Sequence, residues 1–160
     1  MAHFNEYLDL LELSPLVNHC LQNGKKRLYK KGEFFCQTSE VCHNIAYISQ
    51  GSFRYFYLDT EGNKHIIGYS FEKDFVADYE SFTRQTPAII YTEAIKASTV
   101  YQLSYNQLEE FWAATRQNQL LGRKIAENLF CMTYHRLLNL YSASPKIRYQ
   151  ELLKRCPDIV

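Results

Sequence analysis

The sequence predicts an α+β fold, an antiparallel β barrel with helices before it and one long helix after it. Three features predict this. From about Lys26 to Leu103, apolar residues alternate or cluster in short runs separated by turn residues, as antiparallel strands do. The 160 residues include 13 Tyr and 10 Phe, whose flat rings suit a pleated surface. Beyond Ser104 the apolar period changes to three and four residues and holds to Tyr141 with no proline and only Gly122 as a glycine.

The bulk properties narrow the function classes. A chain of 160 residues is one ordinary domain with an appendage, and 46% apolar with 22% charged residues is a globular composition. A net charge of +1 gives no overall attraction to nucleic acid or anionic lipid. The start, Met1-Ala2-His3-Phe4-Asn5-Glu6-Tyr7, has neither a basic region nor an apolar core of a leader, and no apolar run approaches the roughly 18 residues of a membrane span. A cytoplasmic protein with no membrane partner is expected. Five cysteines, Cys20, Cys36, Cys42, Cys131 and Cys156, form no CxxC pair, which argues for reduced, mostly buried thiols over a disulfide framework or zinc ribbon.

Taken in order, residues 1–25 are a helical lead-in with Phe4, Leu8, Leu11, Leu16 and Leu21 at helical spacing, expected to break at Ser14-Pro15. Residues 26–104 are the barrel. Its strand-like runs are Ala46-Ile48, Phe53-Tyr55-Tyr57, Ile67-Tyr69-Phe71 and Ala94-Ala97-Val100-Leu103. Gly32, Gly51, Asp59 to Asn63 and Thr86-Pro87 punctuate them, and Asp59 to Gly62 reads as a hairpin turn. The basic runs Lys25-Lys26-Arg27 and Lys30-Lys31 read as solvated strand ends, balanced by Glu33 and Glu40.

Residues 105–142 are a helix pair. Ser104 with Gln107 forms a capping box, and Leu103 with Leu108 a hydrophobic staple. The second helix, from about Arg116 to Tyr141, would reach roughly 35–40 Å at 1.5 Å per residue. Leu121, Ile125, Leu129 and Met132 make one seam, with His135 on or near it, while Phe130, Tyr134, Leu137, Leu138 and Tyr141 populate another face. Two apolar faces imply two partners, the barrel and a second copy across a two-fold axis, so a homodimer is expected, with Leu121, Ile125, Leu129, Met132 and His135 as its dimer-helix residues. In residues 143–160, Ser144-Pro145 caps a short helix through Leu152-Leu153 that ends at Cys156-Pro157. The chain stops on Ile159-Val160 with no terminating signal, so this segment is expected to lead into a further domain.

Barrel, long helix and short exit helix in this order are similar to the Crp/Fnr superfamily of transcription regulators. Gly51 to Gly62, Phe71-Glu72-Lys73-Asp74-Phe75 and Asp78-Tyr79-Glu80-Ser81-Phe82 resemble the Bacteroidetes-type form of its sensor domain. Ser144 to Leu153, then Pro157, resembles the segment leading to its DNA-binding domain. The resemblance implies a jelly-roll barrel of the cyclic-nucleotide-binding type, a double-stranded β-helix. It also implies DNA contact through a winged helix-turn-helix that follows this segment and is not part of these residues.

In cyclic-nucleotide members of that superfamily, a Gly-Glu-Leu-type turn holds the ribose and an Arg-Ser/Thr pair clamps the phosphate. Here those positions fall on Ala77-Asp78-Tyr79 and on about Ala88-Ile89. The guanidinium is gone, and an unpaired buried phosphate would cost several kcal/mol. Arg84 lies nearby but not at the clamp. The candidate effector pocket is therefore Tyr69, Ala77, Asp78, Tyr79, Ala88 and Ile89, for an unknown effector other than cyclic AMP, with Asp78 suited to a hydroxyl or an amine. The alternative is an aromatic-filled barrel acting only as a dimerisation platform.

No cofactor, catalytic residue or metal is expected. Cys36 and Cys42, with His43 adjacent, lack a close third partner for an iron–sulfur cluster. His3, His19, His43, His65 and His135 are scattered, without the His-x-His pair of a cupin-type metalloenzyme, the main enzymatic rival. A stand-alone small-molecule-binding protein is the other alternative. On its helix, His135 is expected to be a solvated residue.

Overall fold

A computed structural model describes the backbone of residues 10–155 and the side chains of residues 12–154. Phe4, Leu8 and the Cys156-Pro157 stop lie outside the described residues. The chain forms two compact units: Pro15–Phe111, and a helical one joining Trp112 onward to the part of the first helix up to Ser14.

Helix α1 (Leu10–Asn23) runs unbroken through Pro15, so the expected break does not occur. A proline at this place forfeits a backbone hydrogen bond and crowds the preceding turn, at about 3 kcal/mol. Leu13, Leu16 and Cys20 are buried along the helix, and each buried leucine returns about 1.5–3 kcal/mol, which offsets that loss.

Eight strands follow or alternate with the helices: β1 (Lys25–Tyr29), β2 (Phe34–Cys36), β3 (Asn44–Gln50), β4 (Ser52–Leu58), β5 (Lys64–Phe71), β6 (Phe75–Val76), β7 (Tyr91–Ala94) and β8 (Ser98–Ser104). They form two antiparallel four-stranded sheets, ordered β1-β8-β3-β6 and β2-β7-β4-β5. Consecutive strands β3 and β4 lie in different sheets, as do β7 and β8, which is how a jelly roll winds. The run Ala94-Ala97-Val100-Leu103 thus divides into two strands of opposite sheets, because Lys96 and Ala97 turn out to solvent between them. Between the sheets lies the core of Tyr29, Ala46, Ile48, Phe53, Val76 and Val100.

Local chemistry accounts for the connections. Gly51 (φ +109°) is the single residue joining β3 to β4 across the sheets. At the β4–β5 hairpin, one carboxylate organises the turn: Asp59 Oδ1 accepts the Glu61 and Asn63 amides, both at 2.9 Å, and Oδ2 accepts Asn63 Nδ2 at 3.1 Å. Asp59 Oδ2 also meets His65 Nε2 at 2.7 Å, and these contacts hold the Asp59 carboxyl well below the usual carboxylate range, the His65 contact most of all. Strand β1 is an edge whose Lys25, Lys26 and Arg27 are exposed, and such charge blocks pairing with another sheet.

Helix α2 (Tyr79–Arg84) interrupts the strands after β6. Helix α3 (Tyr105–Ala114) starts on the expected capping box, with Ser104 N–H donating to Gln107 Oε1 at 2.9 Å and Gln107 N–H to Ser104 Oγ at 3.3 Å.

In the second unit, helix α4 (Arg116–Ser142) is 27 residues long and starts on Thr115, whose hydroxyl accepts Asn118 N–H at 3.0 Å. Lys124 reaches Glu12 of α1 at 3.2 Å. Along α4, Leu121 is buried and Ile125, Leu129 and Met132 are half-buried, while His135 is exposed. Phe130, Tyr134, Leu137, Leu138 and Tyr141 are all exposed, so the two apolar faces differ in burial. Helix α5 (Pro145–Arg155) is capped by Ser144 Oγ, which accepts Ile147 N–H at 3.4 Å. Among the described residues no helix is long and apolar enough to cross a membrane.

Candidate functional site

Cross-strand register decides which side chains face the barrel interior. Thr92 on β7 pairs with Cys36 on β2 and with Tyr55 on β4, and paired residues share a face. The neighbouring Phe53–Ala94 pair belongs to the core, so alternation places Thr92 and Tyr55 inward as well. Tyr55 hydroxyl bonds Ser70 Oγ at 2.8 Å, and burial pushes its pKa up.

Asp78 stands at the mouth of α2 and is 5% exposed. Its Oδ1 accepts the Ser81 amide at 3.2 Å, capping the helix, whereas Oδ2 is buried without a hydrogen-bond partner. Thr92 Oγ1 is likewise buried and unpartnered. Burial raises the Asp78 pKa, outweighing the Ser81 amide that lowers it. Buried polar atoms are nearly always satisfied, and leaving one unmet costs about 1–3 kcal/mol. Two in one barrel are therefore the feature that requires a functional account. Among the described residues, no Lys, Arg or His is buried. The interior thus offers a carboxyl and a hydroxyl with no cation, a set that complements hydroxyl or amine donors and repels an anion.

Cys36 and Cys42 join this group. The Cys36 thiol lies 3.8 Å from Gln37 O and 4.0 Å from Glu40 O, and the Cys42 thiol donates to Asn44 O at 3.3 Å. The Cys42 amide donates to Ser81 Oγ at 2.9 Å, tying the β2–β3 connection to α2.

Of the residues singled out from sequence, Asp78 and Ala88 are buried and Ala77 half-buried, beside Tyr55. Ile89 is 75% exposed and Tyr79 is 49% exposed, so both face solvent, Ile89 at a bend before β7 and Tyr79 on the first turn of α2. Tyr69 pairs with Arg54, on the face opposite Phe53 and Ser70, and so lies outside the barrel. Arg84 is exposed and pairs with Glu80 at 3.9 Å. His43 is bonded to Gln85 and His65 to Asp59, and among the described residues no three His, Cys, Asp or Glu side chains converge on one point. Thr92 escaped the sequence reading, although a polar residue two positions before the core Ala94 was the signal available.

A sequence model of the cyclic nucleotide-binding domain matches residues 26–115, more than half of the chain. The chain belongs to the cyclic nucleotide-binding domain family. The expected fold of the cyclic-nucleotide-binding type is borne out by this match. No curated protein sequence matches the chain significantly. Among solved structures it is similar to the Thermus thermophilus catabolite activator protein, with TM-score 0.60 and 14% identity over 78% of this chain and 55% of that one. It is also similar to the c-di-GMP responsive global regulator CLP of Xanthomonas campestris, with TM-score 0.64 and 15% identity over 91% of this chain and 71% of that one. A third is oxidized CprK in complex with o-chlorophenolacetic acid, with TM-score 0.64, 15% identity and coverage of 93% and 62%. The chain thus spans between about half and seven-tenths of the length of these neighbours.

At Ala88, where the position of a phosphate clamp was expected from the sequence, the backbone is engaged in contacts of its own. Ala88 N–H donates to Glu40 O at 2.8 Å, and Ala88 O accepts Ser39 N–H at 2.8 Å and the Thr38 hydroxyl at 3.2 Å. No amide of Ala88 is left for an anion.

The raised Asp78 pKa has a definite sign in stability. The folded protein keeps this proton to higher pH than the unfolded chain does, so the contribution is full below the unfolded carboxyl pKa of about 3.9 and declines as pH rises through the folded value. Asp78→Asn, which keeps the helix cap, is expected to abolish that declining component. Urea unfolding of both proteins between about pH 4 and 7 checks it, the wild type losing stability with pH relative to the variant.

Proposed function

We propose that the chain is the sensor and dimerisation part of a Crp/Fnr-type transcription regulator, whose effector is a small molecule presenting hydroxyl or amine donors and not cyclic AMP. The observation carrying this reading is the pair of unpartnered buried atoms, Asp78 Oδ2 and Thr92 Oγ1, in a barrel interior without a buried cation among the described residues. A donor from the ligand satisfies each atom, whereas a cyclic phosphate would enter beside a carboxyl with nothing to neutralise it. The solved neighbours support the variety of ligands this fold accepts, since one is described as responsive to c-di-GMP and another is in complex with o-chlorophenolacetic acid.

In this reading residues 26–104 sense and residues 105–142 transmit and dimerise through the exposed face of α4. Residues 143–160 connect to DNA-binding heads outside this chain, and the protein works in the cytoplasm. Ligand binding at Asp78 shifts the population of α4 arrangements in the dimer and so reorients the heads.

Thermal-shift measurement tests the effector class. Cyclic AMP and cyclic GMP are expected to leave Tm unchanged, while neutral polyols, nucleosides or amines include compounds that raise it. A ligand at a hundred times its Kd adds about 2.7 kcal/mol, or roughly 5–10 °C for a chain this size. Asp78→Ala is expected to abolish the response. A rise of that size with cyclic AMP overturns the proposal.

A further inference from the structure

Strand β1 has no part in the reading above. We propose that its open edge is a docking site for an extended acidic peptide segment, which adds to the β1-β8-β3-β6 sheet as a further strand. The strand pairs with β8 on one side, and among the described residues no strand pairs with its other side. Alternate residues of such an edge point their backbone N–H and C=O groups outward, where another chain can bond them. Both ends of the strand are held. The Gly24 N–H donates to Cys20 O at 2.8 Å, joining β1 to the end of α1, and beyond the strand the Gly32 N–H donates to Ala94 O at 2.8 Å. An edge already fixed in this way loses little freedom on pairing.

Charge decides the partner. Lys25, Lys26, Arg27, Lys30 and Lys31 are all exposed, and among the described residues none of them forms an ion pair, although Arg54, Lys64, Arg84, Arg123 and Lys124 do. The nearby Glu33 carboxylate is turned to the Lys30 backbone N–H, at 2.8 Å. Tyr29 belongs to the core, so alternation puts Lys25 and Arg27 on its face of the strand and Lys26 with Leu28 on the other. The Arg27 guanidinium stands 4.8 Å from the centre of the Tyr29 ring, which holds it at the edge. Leu28, 69% exposed, places an apolar side chain among the cations.

These features select a peptide over a nucleic acid. Phosphates would meet the lysines but leave the row of backbone groups and Leu28 without a complement, whereas a peptide backbone bonds that row and its side chains meet the rest. Opposite charges directly across a strand pair attract and like charges repel. The charge that keeps a basic edge away therefore favours carboxylates opposite Lys25, Lys26 and Arg27, with an apolar residue beside them to cover Leu28. The segment recognised is a short acidic run next to an apolar residue, in extended form. The net charge of the whole chain is only +1, so the attraction acts at contact range and not by long-range steering. None of the residues assigned to the effector takes part.

The test is an NMR titration of the isotope-labelled full chain with the capped peptide Thr-Leu-Glu-Glu-Glu-Thr, read at the backbone amides of residues 25–31. Antiparallel pairing sets its Leu against Leu28 and its Glu residues against Arg27, Lys26 and Lys25. The expected result is saturable shifts at these amides, with affinity falling on the order of tenfold as salt rises from about 0.05 to about 0.5 M. Two further peptides carry N-methyl groups on one or the other alternate set of residues. One is expected to lose binding and the other to keep it, because only one set of amides faces β1. Lys25→Glu combined with Lys26→Glu, both at exposed positions, is expected to lose the acidic peptide and to bind its lysine counterpart instead. The proposal is overturned if millimolar acidic peptide leaves these amides unmoved, if both methylated peptides bind as the parent does, or if the lysine peptide binds the unsubstituted chain equally. Tighter binding there by duplex DNA at equal charge overturns it too. The methylation comparison on the unsubstituted chain decides this even where the variant folds poorly. It involves no effector, so a negative thermal-shift panel leaves it standing.

Discussion

Phe53→Ala is expected to destabilise the protein by about 3–5 kcal/mol, the range for deleting a large aromatic side chain from a packed core. Phe53 is 0% exposed. It lies on β4 of one sheet, yet its ring makes an edge contact with Tyr29 of the opposite sheet, centroids 5.5 Å apart at 81°. A second edge contact, 6.0 Å at 80°, joins it to Phe35 on its own sheet. The alanine variant loses both contacts along with the transfer energy of the ring, and the surrounding strands, pinned by their ladders, cannot collapse fully into the gap. Urea unfolding measures the cost. Ile89→Ala, at an exposed apolar position, is the comparison and is expected to stay within about 0.5 kcal/mol of wild type. A Phe53 effect below about 1.5 kcal/mol would mean that the two sheets do not share this core.

Gly51→Ala is expected to cost about 2–4 kcal/mol for a different reason, which is backbone geometry. At φ +109° the residue occupies a region that side chains rarely tolerate. An added Cβ would also stand 2.6 Å from Ser98 Cα and run into the Ser98 side chain. Ser98 cannot move aside freely, because its hydroxyl accepts the Ser52 amide at 3.1 Å and donates to Lys96 O at 2.9 Å. The same turn passes the chain from one sheet to the other, so relief of the clash would pull β4 away from Ile95, whose amide donates to Ser52 O at 2.9 Å. The urea midpoint of Gly51→Ala is expected to fall with little change in slope, since the fold is weakened and not expanded.

What was legible in the sequence was the part carried by period and by local capping. The strands around Ala46-Ile48 and Phe53-Tyr57, the Asp59 hairpin, the Ser104–Gln107 box and the length of α4 all follow from patterns a few residues wide, and the structure contains each of them. Three strands of two to five residues, β1, β2 and β6, carry too little pattern to stand out, since their burial depends on partners far along the chain. Pro15 misled because a local rule was applied where buried Leu13 and Leu16 supply the compensation. Asp78 was legible as a candidate site residue, but its second task, capping α2, was not read from the Asp-x-x-Ser pattern that signals it. The face of Tyr69 is settled by strand register, while Tyr79 opens α2 and Ile89 lies at a bend, placements that the spacing of the runs does not fix. Thr92 needed the pairing of β2 with β7, a relation across more than fifty residues.

The account depends most on self-association through α4. Phe130 is 72% exposed and Tyr141 86% exposed, with Tyr134, Leu137 and Leu138 on the same helix, a concentration of large apolar side chains that a second copy would cover across a two-fold axis. Sedimentation velocity of the unsubstituted chain at tens of micromolar, under reducing conditions so that Cys131 cannot crosslink, is the direct test. The account predicts a species of twice the chain mass that dissociates on dilution or on replacement of Leu137 by glutamate. A monomer throughout that range would contradict it, removing the dimer and the route from barrel to DNA together.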